Sequence, residues 1–412
     1  MKICGIVAEY NPFHNGHKYQ IEEIKKKTNC DAIVAIMSGN FMQRGVPASF
    51  DKWTRAKMAI DNGVDLVIEL PTLYATASAE YFALGAVSLL NSLNSIDYIS
   101  FGVKNDNLEL LNKIADVLAN EPEDYKKEFQ KELKNGVSFP VARSKCLQNH
   151  FKNEYDSNLI EEIMIDSNNI LAIEYLKALK NLQSSISPIL VKRNGPDYNS
   201  LDIVDSFCSS TAIREALNNH DLNKIQNVVP LSTLKTIEHE IDIGKVPMNL
   251  NNFEKEILYV LRRMDAYSIS TLADVNEGLE NVIKKSLREC FDLESLINEI
   301  KSKRYTRTRI ERILVHALLG IRDNYLKKNK STPKYARILG FSKQGKKVLS
   351  EISKNSSIPI VTSVSSFIKK ATDEELEMLN IDIEASNIYT LGYPIPKHRI
   401  NNYDLTAKII EG

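Results

Sequence analysis

Four short apolar runs, Ile3 to Ala8 (ICGIVA), Asp31 to Met37 (DAIVAIM), Asp65 to Leu70 (DLVIEL) and Tyr98 to Phe101 (YISF), alternate with stretches of helical periodicity. This alternation constrains the chain more than any other feature. A helix between two strands carries the backbone across one sheet face and starts the next strand in the same direction, so the pattern predicts an α/β fold built on a doubly wound parallel sheet. Pro188 to Arg193 (PILVKR) supplies a fifth strand. Ligands of such sheets sit beyond the carboxyl ends of the strands, so the loops after the apolar runs are where function should lie.

Other segments read differently. From Leu108 to about Lys152 the pattern becomes amphipathic helices rich in Lys and Glu, a helical insertion over roughly 105–160 of a first domain spanning 1–225. Residues 226–250, with Pro230, Gly244 and Pro247, read as a connector. Helical periodicity then recurs in Phe253–Met264, Leu272–Phe291, Leu293–Lys301 and Arg307–Leu326, which predicts a mainly α-helical C-terminal domain over 226–412. Within it, Ile358–Ser363 is expected to be a short strand and the tail from Pro394 irregular.

Composition excludes several classes. With 43% hydrophobic and 26% charged residues the chain has the balance of a globular protein. Five cysteines, an odd number without CxxC spacing, argue against a disulfide framework and a structural zinc site. No leading apolar segment and no apolar run of about 18 residues is present, so a cytoplasmic location without a membrane partner is expected. Net charge is zero, yet residues 301–350 hold fifteen Lys or Arg against two acids, Glu311 and Asp323. Interleaved with Tyr305, Tyr325, Tyr335 and Phe341, that block suits phosphate neutralisation and base stacking, hence RNA. Its candidate contacts are Lys303, Arg304, Arg307, Arg309, Arg337 and Lys346. His316, inside the apolar ILVHALL run, reads as a packed core histidine.

The first apolar run ends in Glu9-Tyr10-Asn11-Pro12-Phe13-His14-Asn15-Gly16-His17, followed by a charged helical segment. His14 and His17, three apart, can share one side of the helix's opening turn, where unpaired amides and the helix dipole favour an anion. A polyphosphate fits that description. Ser209-Ser210-Thr211 opens another predicted helix and offers hydroxyls beside unpaired amides, a second anion site. Gly102, at the end of the fourth run, lets a ligand approach the backbone.

A first strand followed by HNGH resembles the HIGH-motif nucleotidyltransferase superfamily, and SSTAIR at 209–214 resembles its second signature. The longer strings EYNPFHNGH and SGNFMQRGVPASFDKW resemble, more narrowly, the bacterial tRNA(Met) cytidine acetate ligase family. That resemblance implies a Rossmann-like domain that uses ATP with Mg²⁺ to activate acetate as acetyl-adenylate. The acetyl group is then transferred to the wobble cytidine of elongator tRNA(Met). It implies catalytic roles for His14 and His17. It also implies ATP contacts along Val7, Ala8, Glu9, Tyr10, Asn11, Pro12, Phe13, His14, Asn15, Gly16, His17, Lys18, Tyr19 and Gln20, and at Gly102, Asn168, Arg193, Ser210 and Thr211. Ser167 departs from the family pattern, in which proline stands there. Gln43, Arg44, Asp51 and Lys52 are candidates for an acetate site or for shaping its loop, since a guanidinium matches a carboxylate's two oxygens. Asp51 is also placed to cap the helix that starts at Lys52. The alternative is a small-molecule adenylyl- or cytidylyltransferase of cofactor biosynthesis, which the superfamily motifs fit equally.

Overall fold

The computed structural model describes residues 1–193, 203–204, 207–245, 247–302, 304–328 and 332–412. Five strands, β1 (Ile3–Ala8), β2 (Ala32–Ser38), β3 (Leu66–Leu70), β4 (Tyr98–Val103) and β5 (Ser187–Lys192), lie parallel in the order β3-β2-β1-β4-β5. Each agrees with its expected run to within one or two residues. β2 is buried at every position, which is why its sequence is continuously apolar and not alternating. Helices α1 (Asn15–Thr28), α2 (Lys52–Ile60), α3 (Ala79–Ser92) and α4 (Ser167–Asn181) make the crossovers. The chain leaves β1 toward β2 on one side and returns to β4 on the other, so the β1/β4 boundary is the topological switch point. Four helices between Leu108 and Ile165 form the insertion.

Residues after 225 are mostly helical, as the periodicity predicts, but their last eighty or so rejoin the sheet. β6 (Ala336–Phe341) pairs antiparallel with β3, and β7 (Ile360–Val361) and β8 (Ile410–Glu411) pair parallel with β6, giving eight strands in all. The expected strand at Ile358–Ser363 is β7. The tail from Pro394, expected to be irregular, contains β8. β6 escaped the sequence reading because Arg337 sits in its middle and belongs by composition to the basic block. Arg337 is 1% exposed, and its Nη1 donates to Asp404 at 2.7 Å and lies 3.2 Å from Glu69 of β3. Lys52, fully buried, donates to the same two carboxylates at 2.8 Å each. The two cations pair with two anions in the interior, and a third buried carboxylate, Asp382, is pushed up to about 6 by burial and by Glu69; pairing is the condition under which burying such charges is tolerable.

Two corrections to the sequence reading follow. Arg337 is not a surface RNA contact, because its charge is consumed inside the sheet. Lys52 is not an acetate ligand, for the same reason.

Candidate active site

The turn after β1 is shaped by its histidines. His14 is the N-cap of α1, and its Nδ1 accepts the Gly16 N–H at 3.0 Å; Nδ1 of His17 accepts the His14 N–H at 3.2 Å. This is a reciprocal capping box with imidazoles in place of Ser and Glu. A Cβ on Gly16 would lie 2.9 Å from His14 Cε1, so a side chain there would displace the capping ring. With both Nδ1 atoms accepting, each neutral ring carries its proton on Nε2. The rings stack with centroids 3.8 Å apart, and His14 Nε2 meets Ser210 Oγ at 3.0 Å. Ser210 opens helix α5 (Ser210–Asn218), so the two motifs, far apart in the chain, share one hydrogen bond.

Burial, and then the charges of Arg193 and Arg214, push the His14 imidazole down to about 3. Burial, His14 and Arg193 hold His17 well below its usual value. Both rings are therefore neutral hydrogen-bond donors at pH 7. Below about pH 6.5 the unfolded chain takes a proton on His14 that the folded chain refuses until about 3, so stability is lost as pH falls through that window. His14→Asn keeps an acceptor for the Gly16 N–H but does not titrate. Its stability relative to wild type, read from urea unfolding, should improve by about 2 kcal/mol between pH 8 and pH 5. A gap that does not change with pH would contradict the buried neutral ring.

The histidines face a cavity of about 530 Å³ at the switch point. Of the residues expected at ATP, Val7, Ala8, Glu9, Tyr10, Asn11, His14, Gly16, His17, Tyr19, Gln20, Gly102, Asn168, Arg193 and Ser210 line it. Arg193 donates to Asn168 Oδ1 at 2.9 Å, and a Cβ on Gly102 would lie 3.3 Å from Arg193 Cγ, so these three converge although they come from different elements.

Five expected residues lie off the cavity wall. Phe13 is fully buried beneath the turn, against Tyr10 and His17, and Pro12 is buried beside it. Asn15 donates away from the cavity to the Asn227 carbonyl at 3.0 Å. Lys18 is exposed on the outer face of α1, and Thr211 accepts a hydrogen bond from Arg214 at 3.0 Å.

The loop after β2 is pinned by Arg55, a fully buried side chain that donates to the carbonyls of Phe50 (2.9 Å), Glu9 (2.6 Å) and Ser38 (3.1 Å), and to that of Gly39. One guanidinium thus locks the ends of β1 and β2 together. Gln43 and Arg44 line the cavity, with the Gln43 side chain donating to the Ala77 carbonyl at 3.3 Å and its N–H to Glu9 Oε1 at 2.8 Å. Asp51 does not reach it. Its carboxylate caps α2 through the Thr54 N–H at 2.8 Å and also takes Lys245 and Tyr393, which removes it as an acetate ligand.

Sequence reasoning missed several wall residues. Arg214 lines the cavity and donates to the Asn11 carbonyl at 3.2 Å; its place in SSTAIR was the available signal. Thr306, Thr308 and Arg312 enter from the cap and first turns of helix α6 (Arg307–Leu319), and Arg312 is held by Asp274 at 2.6 Å. Nothing local could have revealed that, because the approach is tertiary. It depends on Gly45, whose φ is +77° and whose Cβ would lie 2.1 Å from the Arg312 backbone nitrogen. Gly45→Ala should cost about 1–3 kcal/mol in urea unfolding, by overpacking rigid backbone. A neutral result would mean that the loop and α6 are not in contact.

Of the expected RNA contacts, Lys303 lies outside the described residues. Arg304 pairs with Glu277, Arg307 with Glu294 and Glu311, and Arg309 donates to the Asp274 carbonyl. Lys346 is exposed. His316 is fully buried between the carbonyls of Ala273 and Thr76.

Comparison with known proteins gives a consistent result. Residues 1–404 match the family described as HIGH Nucleotidyl Transferase. A tRNA(Met) cytidine acetate ligase of Caldanaerobacter subterraneus subsp. tengcongensis is 46% identical over 393 residues, covering 95% of this chain and 96% of that one. Its counterpart from Acetivibrio thermocellus is 42% identical over 416 residues, covering the whole of both. Among solved structures, apo Thermotoga maritima TmcAL superposes with a TM-score of 0.96 at 32% identity, over 100% of this chain and 99% of that one. The same protein bound with alpha-thio ATP gives 0.94 at 32% identity, with the same coverage of both chains.

Proposed function

The chain belongs to the HIGH nucleotidyl transferases and, among them, to the tRNA(Met) cytidine acetate ligases, and from that membership we propose that it uses ATP and acetate to acetylate the wobble cytidine of elongator tRNA(Met). The observation that carries the site assignment is the 3.0 Å contact between His14 and Ser210, which closes the HNGH turn and the SSTAIR helix around one cavity.

The triphosphate lies over the α1 and α5 starts. There the Nε2–H of His17 and the guanidinium groups of Arg193 and Arg214 are positioned for the charge that moves onto pyrophosphate. An acetate oxygen attacks the α-phosphorus. A P–O bond forms, the bond to the bridging oxygen breaks, and pyrophosphate departs with the electron pair. The cytidine amine then attacks the acetyl carbon, the C–N bond forms as the acyl–phosphate bond breaks, AMP leaves, and the amine's proton passes to water.

No group of three His, Cys, Asp or Glu among the described residues is placed to hold a metal by itself, and Glu9 is the one carboxylate on the cavity wall. Mg²⁺ would come as the counter-ion of ATP, with Glu9 the wall carboxylate available to it, and would offset phosphate charge. No helix among the described residues is long and apolar enough to cross a membrane.

Incubation with ATP, labelled acetate and tRNA tests the reading. Label in cytidine with release of AMP supports it. Pyrophosphate release that requires a different, small acceptor overturns it in favour of a cofactor-type nucleotidyltransferase.

A further inference from the structure

The cavity straddles the sheet, and only half of it suits a polyphosphate. Tyr10, Val191 and Cys208 belong to the apolar cluster on the α1 face, whereas Phe82, Phe101 and Tyr175 belong to the cluster on the α3/α4 face, with Leu171 packed against it. All of them line the same space. Alternation along β4 produces the division, since Phe101 and Gly102 point to opposite faces of the sheet.

The first lobe is cationic. The second is aromatic, with Phe101 and Tyr175 at 5.3 Å between centroids. Tyr175 is 4% exposed, no hydrogen bond of its hydroxyl is found among the described residues, and the Glu9 carboxylate acts on it across the cavity. Arg44, Thr308 and Arg312 line the same cavity, the last of these paired with Asp274. An aromatic wall carrying a hydroxyl, with Arg44 on the same cavity, describes a receptor for a single nucleotide base whose backbone stays outside.

We propose that this second lobe seats the acceptor pyrimidine, stacked on the aromatic side chains, with the Tyr175 hydroxyl bonding a polar edge of the base. The inference rests on the ligase reading and adds to it the place of the RNA base. It also gives the helical segment a role in completing the pocket. An amine delivered from this side approaches the acyl group across the end of β1, opposite the lobe that holds the phosphates.

Two variants test it. Tyr175→Phe removes the hydroxyl and keeps the ring, and Leu171→Trp fills the lobe from a half-buried position. For each, the dissociation constant of a non-hydrolysable ATP analogue is measured beside kcat/KM for acetyl transfer to tRNA. The expected result is ATP-analogue affinity within about twofold of wild type, which also reports an intact fold. Transfer should fall about tenfold in Tyr175→Phe and further in Leu171→Trp. Loss of analogue affinity in parallel with transfer would give the lobe to ATP and overturn the proposal, as would unchanged transfer. A wild-type protein that transfers no acetyl group to tRNA fails the ligase reading itself, and the base pocket falls with it.

Discussion

Replacing His17 with alanine should lower the rate of acetate-dependent ATP consumption by about 10²- to 10³-fold while leaving the unfolding midpoint nearly unchanged. His17 is the ring whose Nδ1 is occupied by the His14 N–H, so its Nε2–H is the donor left for a ligand. It is neutral, because burial and its cationic neighbours suppress protonation. A neutral donor held in place stabilises charge that develops on phosphate oxygens without itself being discharged, and removing one such donor costs rate in that range. Folding depends on it less, since His14 retains its own cap bond to Gly16. His17→Asn, which can still accept from His14 but presents its donor closer to the backbone, should recover little of the rate. Near-normal turnover in His17→Ala would remove the residue from the mechanism.

Arg337→Ala should cost about 3–5 kcal/mol of stability, the largest loss expected of any single substitution discussed. The side chain is 1% exposed, and truncating it leaves Asp404 and Glu69 sharing only Lys52. Uncompensated buried charge is the reason for the magnitude, since Asp404 and Glu69 are both almost fully buried. Arg337→Met with Asp404→Leu removes one charge of each sign and should recover much of the loss. Denaturant midpoints of the two variants decide the point, and a single substitution costing under about 1 kcal/mol would mean that Arg337 is not paired as described. The same reasoning predicts that residues 1–225 alone are poorly folded. That fragment bares the edge of β3 and leaves Lys52 and Glu69 without Arg337 and Asp404.

Much of the site was legible because its chemistry is local. A strand, two histidines at the cap and third positions of a helix, and a glycine between them fix the turn through contacts a few residues long. The SSTAIR helix was legible as an anion site for the same reason, but its distance from His14 was not. The basic block shows the opposite case. Counting charges between 301 and 350 identified an excess, yet several of those side chains face acids elsewhere in the chain, Arg307 with Glu294, Arg312 with Asp274 and Arg337 with Asp404. A count records charge and not where its partner lies.

The amino-acid sequence by itself determined the strand–helix alternation, the order of the loops and the cap that aims two imidazoles at one spot. Each depends on periodicity or on hydrogen bonds between near neighbours. Tertiary structure decided which charges are spent and which walls meet. Lys52 finds Asp404 across 352 residues, and the wall opposite the histidines is assembled from β4, α3, α4 and α6. Electrostatic pairing and cavity shape depend on distance in space, and only the folded chain sets that distance.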